Sequence, residues 1–158
     1  MTVVIDGTSG VTFAAGTGAL NYYEEGTWTP ALSGTGSTFA YAANGQVGTY
    51  TRVGRQVTVQ FRIQLNTTGN TLGAGALTIT SLPFTSANVT SQSNYGTASF
   101  ANLTTSLVQL PFTINPNVTT VSLFKLTAAG TTTTTQLVGT DLHATNGTVI
   151  GGTISYFV

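Results

Sequence analysis

The strongest constraint on the fold is the stretch at residues 57–65, in which apolar and polar side chains alternate without exception. Its apolar positions are Val57, Val59, Phe61, Ile63 and Leu65. Successive side chains of a β-strand point to opposite faces, so a period of two places these apolar side chains together on one face. The stretch is therefore predicted to be a β-strand with one buried face and one polar face.

The segments around this strand predict further short strands. Residues 46–52 are its predicted partner, because the link Val53-Gly54-Arg55-Gln56 places a glycine where a tight hairpin requires positive φ. Other candidate strands are rich in β-branched residues and lie at 27–32, 37–42, 76–80, 95–101, 105–110, 119–127, 135–138 and 148–156. Clusters of turn residues separate them at 34–36, 44–45, 68–74, 91–94, 115–117 and 146–147.

Helical periodicity is nearly absent, because glycines and β-branched residues interrupt the windows in which a helix could begin. Evenly spaced short strands without intervening helices predict an all-β fold, an antiparallel β-sandwich of the jelly-roll type, over residues 21–158. Residues 1–20 are rich in Gly, Ala and Thr and hold two short apolar runs, 3–5 and 11–13. We expect them to form an extended N-terminal arm that packs on a neighbour or anchors the domain.

The most distinctive motif lies where the arm meets the domain, at residues 22–30, and has the sequence YYEEGTWTP. It resembles the YEEGTWTP motif in the C-terminal domains of phage tail-fibre and related virion proteins. Three more segments are similar to parts of that family in the same order: VIDGTSGVTF (4–13), GTYTRVGRQV (48–57) and TITSLPF (78–84). The resemblance implies a trimeric β-sandwich at the surface of a phage particle.

The residues of this motif also have a direct physical interpretation. Three aromatic residues supply large apolar area where the arm enters the domain: Tyr22, Tyr23 and Trp28. Pro30 restricts the chain and delays sheet pairing. Glu24 or Glu25 could pair with Arg52 or Arg55 on the adjacent hairpin, which would set register more than stability. We therefore assign the motif a structural role at the entry to the domain.

The chain carries very little charge, with four Lys and Arg, four Asp and Glu, and a net charge of zero. A zero net charge argues against sequence-independent nucleic-acid binding, which needs Lys and Arg to neutralise phosphates. So few charges also leave single chains prone to self-association. We therefore predict that partner subunits cover much of the surface, and the resemblance to phage fibre domains implies that the assembly is a homotrimer. No stretch of about 18 apolar residues is present, so no membrane span is predicted.

Catalytic groups are scarce in the sequence. The chain has no cysteine, and His143 is its single histidine. Asp141 would share a strand face with His143 and could form an acid–base or metal pair, but an exposed loop or strand end is the simpler interpretation. Glu24 and Glu25 are neighbours, so in a strand they point apart and cannot flank a sugar as glycosidase carboxylates do. We expect no enzyme activity, no catalytic residue, no cofactor and no metal.

Two polar loops, residues 88–95 and 143–148, are candidates for receptor binding. Amides and hydroxyls can bond sugar hydroxyls, and an aromatic ring can stack on a sugar face. The candidate residues are Asn88, Ser91, Asn94, Tyr95, His143 and Asn146.

These observations favour a short tail fibre or spike tip on the virion surface that binds a cell-surface glycan. The alternative is a trimeric capsid decoration protein anchored to the head through residues 1–20. In both cases the arm contacts other virion proteins. A polysaccharide-degrading enzyme is a third hypothesis. Copy number separates the first two, because a capsid carries hundreds of copies and a tail only a few.

Overall fold

The computed structural model describes the backbone of residues 3–6 and 10–13 and the whole of residues 22–130 and 133–158. Most of the predicted arm, residues 1–20, lies outside these described residues. Within the arm, Val3–Asp6 (β1) and Gly10–Phe13 (β2) pair as an antiparallel hairpin that forms a sheet of its own. The role of the arm in attachment stays a prediction.

The domain contains a ten-stranded sheet in which paired strands run antiparallel. In chain order the strands are β3 (Tyr23–Trp28), β4 (Ala31–Ser33), β5 (Tyr41–Val53), β6 (Gln56–Leu65), β7 (Thr78–Thr80), β8 (Asn94–Ala101), β9 (Leu110–Ile114), β10 (Val121–Lys125), β11 (Thr135–Gln136) and β12 (Val149–Phe157). Within the described ranges, the helical structure is one short 3-10 turn at Gly139–Asp141. The prediction of an all-β fold is confirmed.

The sheet folds into two layers because β8 changes partners along its length. Residues 94–98 pair with β9, whereas residues 99–101 pair with β12. A strand that switches partners in this way forms a corner between two layers. The first layer is β3-β5-β6-β12 and the second is β9-β10-β7-β4, with β11 attached to β10. This curled sheet is compatible with the predicted β-sandwich.

The alternating stretch lies at the centre of the first layer. β6 pairs with β5 on one side and β12 on the other, and its five apolar side chains are all buried. They share one core with residues from the second layer, among them Ile79, Leu110, Phe112, Ile114, Val121 and Leu123. Each side chain buried in this way contributes roughly 1.5–3 kcal/mol. The prediction for residues 57–65 is confirmed.

The hairpin that precedes β6 is also confirmed. Val53 ends β5 and Gln56 begins β6, so Gly54 and Arg55 form a two-residue loop. Gly54 has a φ of 59°, the left-handed backbone that such a turn requires of its first residue. The partner strand is longer than predicted, since β5 begins at Tyr41 rather than at residue 46.

The turn predicted at residues 44–45 is wrong. Both residues lie inside β5, where the register with β6 shifts between Tyr41 and Gln46. This is a β-bulge, and Asn44 adopts a φ of 55° there. Asn and Gly favour left-handed backbone both in turns and in bulges, so their presence alone does not distinguish the two. The strand predicted at 37–42 is correspondingly reduced to the start of β5.

The single strand predicted at residues 27–32 is in fact two strands. β3 ends at Trp28, β4 begins at Ala31, and Pro30 lies between them without an N–H for the ladder. β3 and β4 occupy opposite ends of the strand order, so Thr29 and Pro30 carry the chain from one layer to the other. The carbonyl of Pro30 accepts a hydrogen bond from Gln46 Nε2 at 2.9 Å, which fixes this crossing.

The prediction of a strand at residues 105–110 is wrong. The observed strand begins at residue 110, where the predicted strand was expected to end. β9 is Leu110–Ile114, and its buried alternate residues are Leu110, Phe112 and Ile114. Pro111 lies within this strand, opposite Thr97, with its ring directed away from the core. The remaining predicted strands are present with shifted bounds, as β7, β8, β10, β11 and β12.

Candidate functional site

The predicted receptor-binding residues fall into two separate groups. The first contains Asn88, Ser91, Asn94 and Tyr95, and the second contains His143 and Asn146. The first group lies before and at the start of β8, whereas Asn102, just after its end, donates from Nδ2 to the Asn146 carbonyl at 2.9 Å. Eight residues at about 3.3 Å each make β8 roughly 25 Å long, so the two groups do not form one compact site.

The first group lies at the end of the sandwich where the domain begins and ends. The Gly54 N–H donates to the Tyr22 carbonyl at 2.7 Å, and the Val158 N–H donates to the Arg55 carbonyl at 2.9 Å. The Ala87 N–H bonds to the Phe157 carbonyl at 2.7 Å, which brings the loop at 88–93 to the same place. We call this the entry end, and the opposite end, with His143 and Asn146, the far end.

A carboxylate lies at the centre of the entry end. Glu24 accepts hydrogen bonds from the hydroxyls of Tyr22 and Tyr50, the second at 2.6 Å. Tyr50 reaches Glu24 because it lies across Gly26, where a Cβ would come within 2.8 Å of the Tyr50 ring. The glycine of the motif therefore makes room for an aromatic ring on the neighbouring strand.

The ion pair predicted for this corner is replaced by ring contacts. Arg52 is the direct cross-strand neighbour of Glu24, yet the two do not form an ion pair. Among the described residues, the ion pair within 4 Å is Lys125–Asp141. The Arg52 guanidinium instead lies 4.1 Å from the centre of the Tyr22 ring and 4.9 Å from that of Phe84. Its Nε donates to the Gly54 carbonyl at 3.0 Å. Arg52 thus joins the entering chain to the hairpin through cation–π contacts.

The ionisation of this corner follows from its hydrogen bonds. The hydroxyls of Tyr22 and Tyr50 hold the pKa of Glu24 below its usual value, and the Arg52 charge acts in the same direction. The same bonds raise the pKa of Tyr22 and of Tyr50. Glu24 is therefore an ionised acceptor at neutral pH. Glu25 points to the other face, as predicted, and accepts from the Tyr23 hydroxyl at 2.9 Å.

The outer surface of the first layer carries mostly hydroxyl and amide side chains. We call it the hydroxyl face, and its central residues are Thr27, Thr49, Thr51, Thr58, Gln60, Thr153 and Ser155. These residues form straight rows across the strands, one of which joins Thr58 Oγ1 to Ser155 Oγ at 2.9 Å. Shallow depressions run along it, one of about 420 Å³ between β3 and β5.

The far end is held together by side-chain amides that bind loop carbonyls. Asn70 Nδ2 donates to the carbonyls of Asn66 and Ala144 at 2.8 and 3.0 Å, and Asn70 Oδ1 accepts from the Ala40 N–H. On the other side, Asn102 Nδ2 donates to the carbonyls of Asn146 and Gly147. The loop at 143–147 is thus clamped from two sides, and its Thr145 and Asn146 remain exposed.

The prediction that Asp141 lies in an exposed loop or strand end is wrong. Asp141 is only 4% exposed and lies in the 3-10 turn, with both carboxylate oxygens 2.6 Å from Lys125 Nζ. Thr105 Oγ1 donates at 2.6 Å and the Val138 N–H at 2.9 Å. Burial pushes the pKa of Asp141 upward, but these donors and the Lys125 charge outweigh it and lower the pKa overall.

His143 does not join Asp141 in a site. The carboxylate of Asp141 is occupied by Lys125, Thr105 and the Val138 N–H, while His143 Nδ1 lies 3.4 Å from the Thr145 N–H. Across the described ranges, no group of three His, Cys, Asp or Glu side chains is placed to hold a metal. Nor do these ranges contain a helix of sufficient length and apolarity to cross a membrane.

Sequence reasoning missed Tyr50 and Phe84, whose rings meet edge to face at 5.3 Å and complete the entry corner. Tyr50 belongs to the segment 48–57, and a signal for its role was available. In an antiparallel pair, a glycine on one strand leaves room for an aromatic side chain directly opposite on the other. Phe84 carried no comparable signal, because it reaches the corner from a loop.

No protein-family model matches the sequence, and no curated protein matches it. Among solved structures, the chain is similar to the crystal structure of the Dettilon tailspike protein, with a TM-score of 0.65 and 17% sequence identity. The match covers 84% of this chain and 23% of that protein, so this chain spans about a quarter of its length. At this identity the likeness shows a shared fold.

Proposed function

We propose that the chain is a phage tail-associated protein of the virion surface, which binds a host receptor and carries out no catalysis itself. The observation that carries this proposal is the likeness of 84% of the chain to a tailspike protein, at a TM-score of 0.65. The four motifs that resemble phage fibre domains point the same way. Fold likeness by itself does not assign a function, so the remaining support comes from the surfaces.

Binding is favoured over catalysis by the state of the three carboxylates whose side chains the structure describes. Asp141 is held by Lys125, Glu24 by two tyrosine hydroxyls and Glu25 by Tyr23. A general acid near neutral pH needs a raised carboxyl pKa, whereas those of Asp141 and Glu24 are lowered. These residues therefore suit structural roles.

The far end is the better candidate for the receptor contact. Both boundaries of the described domain, Tyr22 and Val158, lie at the entry end, so connections to other virion proteins through residues 1–20 start there. The far end points away from them and presents exposed, uncharged side chains, including Asn66, Thr145 and Asn146. Amides and hydroxyls on a clamped loop suit a neutral cell-surface glycan, because little ordering is needed on binding.

The particle location tests the proposal directly. Antibody labelling in electron microscopy, with quantitative mass spectrometry of purified particles, should place a few copies on the tail. Hundreds of copies on the head would instead support the capsid decoration protein. Absence from the particle would reject both.

Receptor binding is tested by blocking adsorption with the purified protein. The wild-type protein should compete with phage for host cells, and Asn146→Ala together with Thr145→Ala should weaken this competition. Tyr95→Ala at the entry end is the matched control, because Tyr95 is a predicted receptor residue that is 76% exposed. If Tyr95→Ala weakens competition and the far-end variant does not, the receptor site lies at the entry end.

We also propose that the protein works as a homotrimer. The supporting observation is the low charge of the chain together with two largely uncharged outer sheet faces. Light scattering of the purified protein should give the mass of three chains of 16.2 kDa. A single-chain mass at high concentration would reject this assembly.

A further inference from the structure

We infer that the hydroxyl face of the first layer is the surface through which copies of this chain meet. This inference rests on the proposed homotrimer and adds the location of its contact. Three observations support the assignment: a hydrogen-bonded hydroxyl pair, exposed apolar side chains at the margins, and two opposite charges that form no ion pair among the described residues.

One hydroxyl pair at the centre of the face can be buried at low cost. Thr51, Thr58 and Ser155 follow one another across β5, β6 and β12, and the last two bond to each other at 2.9 Å. Burying a hydroxyl is costly when it loses its partner, but this pair keeps its bond when water is removed. A second copy can therefore cover this row without leaving these two groups unsatisfied.

Apolar side chains lie at both margins of the same face. Tyr23, Val53 and Phe157 form a row at the entry end and are 45%, 39% and 47% exposed. Val47 lies toward the far end and is 48% exposed. Four of the eight exposed large hydrophobic side chains in the described residues thus belong to this face. Exposed apolar groups around a largely neutral surface are typical of protein contacts.

The charges on the face favour a second copy of the same chain as the partner. Glu25 on β3 and Arg62 on β6 are its two charged residues. Two strand spacings and four residues separate them by about 16 Å, beyond the reach of an ion pair within one chain. In a head-to-tail ring of three chains, Arg62 of one copy can meet Glu25 of the next, because the two charges lie on different parts of the face.

A charge placed on the face should separate the copies. Thr58→Arg introduces a cation in the central row, and the mass by light scattering should fall from three chains to one with the β-type circular dichroism spectrum unchanged. Thr113→Arg is the matched control, because Thr113 is likewise half-buried on a central strand, but on the outer face of the second layer. This control should keep the mass of three chains.

Single cysteines give a second measurement that does not depend on disrupting the assembly. The chain has no cysteine, so Thr58→Cys and Thr113→Cys each provide one reactive site. A bulky maleimide should label Cys at position 113 quickly, and at position 58 at least tenfold more slowly in the native assembly. In denaturant the two rates should become equal.

Each outcome decides the inference. Retention of the mass by Thr58→Arg, equal labelling rates, or separation caused by Thr113→Arg would overturn it, and so would a wild-type protein that is a single chain. If the wild type is a single chain and Thr58→Arg abolishes adsorption competition, the face binds the receptor instead. The tail location is measured on particles, so it can hold or fail independently of these results.

Discussion

The two ends of the sandwich are built from different chemistry. The entry end uses aromatic rings, the Arg52 guanidinium and the half-buried Glu24 carboxylate, which meet at Tyr22. The far end uses side-chain amides that bind loop carbonyls, and it encloses the buried pair Lys125–Asp141. The entry end can therefore lose single contacts to water at modest cost, whereas the far end holds groups that cannot lose their partners.

The largest effect that separates the ends is expected at the buried ion pair. Asp141→Asn leaves the Lys125 ammonium, whose side chain is 18% exposed, without a counter-charge, and we expect a loss of about 3 kcal/mol in unfolding free energy. Glu24→Gln at the entry end should lower the unfolding free energy clearly less, because water can solvate the tyrosine hydroxyls that lose the carboxylate. Urea unfolding at one fixed protein concentration measures both, and equal losses would contradict the comparison.

Acid titration sharpens the same contrast. The folded-state pKa of Asp141 is lowered, so its contribution to stability is present above the unfolded value of about 3.9 and is lost as the pH falls through the folded value. The stability difference between wild type and Asp141→Asn should therefore shrink when the pH falls below about 4. A difference that stays constant from pH 6 to pH 2.5 would show that the charge of Asp141 is not the cause.

The next largest effect is expected from the close packing of Gly26 against Tyr50 at the entry end. Gly26→Ala would place a methyl group within 2.8 Å of the Tyr50 ring, and we expect a loss of about 2 kcal/mol from overpacking. In the Tyr50→Ala background the same glycine substitution should cost much less, since the ring is gone. A double-mutant cycle by urea unfolding measures this coupling. Additive losses would show that the glycine serves another purpose.

A smaller effect is expected from one clamp of the far end. Asn70→Ala removes three hydrogen bonds to backbone groups, and we expect a loss of about 1.5 kcal/mol because water can reach some of them. Hydrogen exchange should rise in the loop at 143–147 and stay unchanged in the hairpin of Gly54. Faster exchange at both ends would indicate a global effect rather than loss of a local clamp.

The sequence predicted those features that depend on local patterns. The alternation at 57–65 and the glycine at position 54 specify a strand and a turn through neighbouring residues alone. Pro30 was expected to restrict the chain and delay pairing, yet one strand was predicted through it at 27–32. The observed crossing between layers depends on where β3 and β4 find partners. The switch of β8 from β9 to β12 is likewise a property of the whole sheet.

The candidate site was less predictable for the same reason. Asp141 and His143 are close in sequence, yet Lys125 and Thr105 bind the aspartate from other segments. The two loops predicted to bind a receptor were grouped by composition, and the strand between them places them at opposite ends. Composition shows which side chains suit a sugar, but only the topology shows which of them are neighbours.

The smallest expected effect concerns the contact that joins the entering chain to the hairpin. Arg52→Lys keeps the charge but loses the flat guanidinium that lies over the Tyr22 and Phe84 rings, and we expect a loss of less than about 1 kcal/mol. Hydrogen exchange should nevertheless rise at Gly54, whose N–H donates to the Tyr22 carbonyl, while the far-end loop stays protected. This result would show that the entry end holds the incoming chain by a weak, local contact. A loss as large as that of Asp141→Asn would mean instead that both ends depend equally on buried charge.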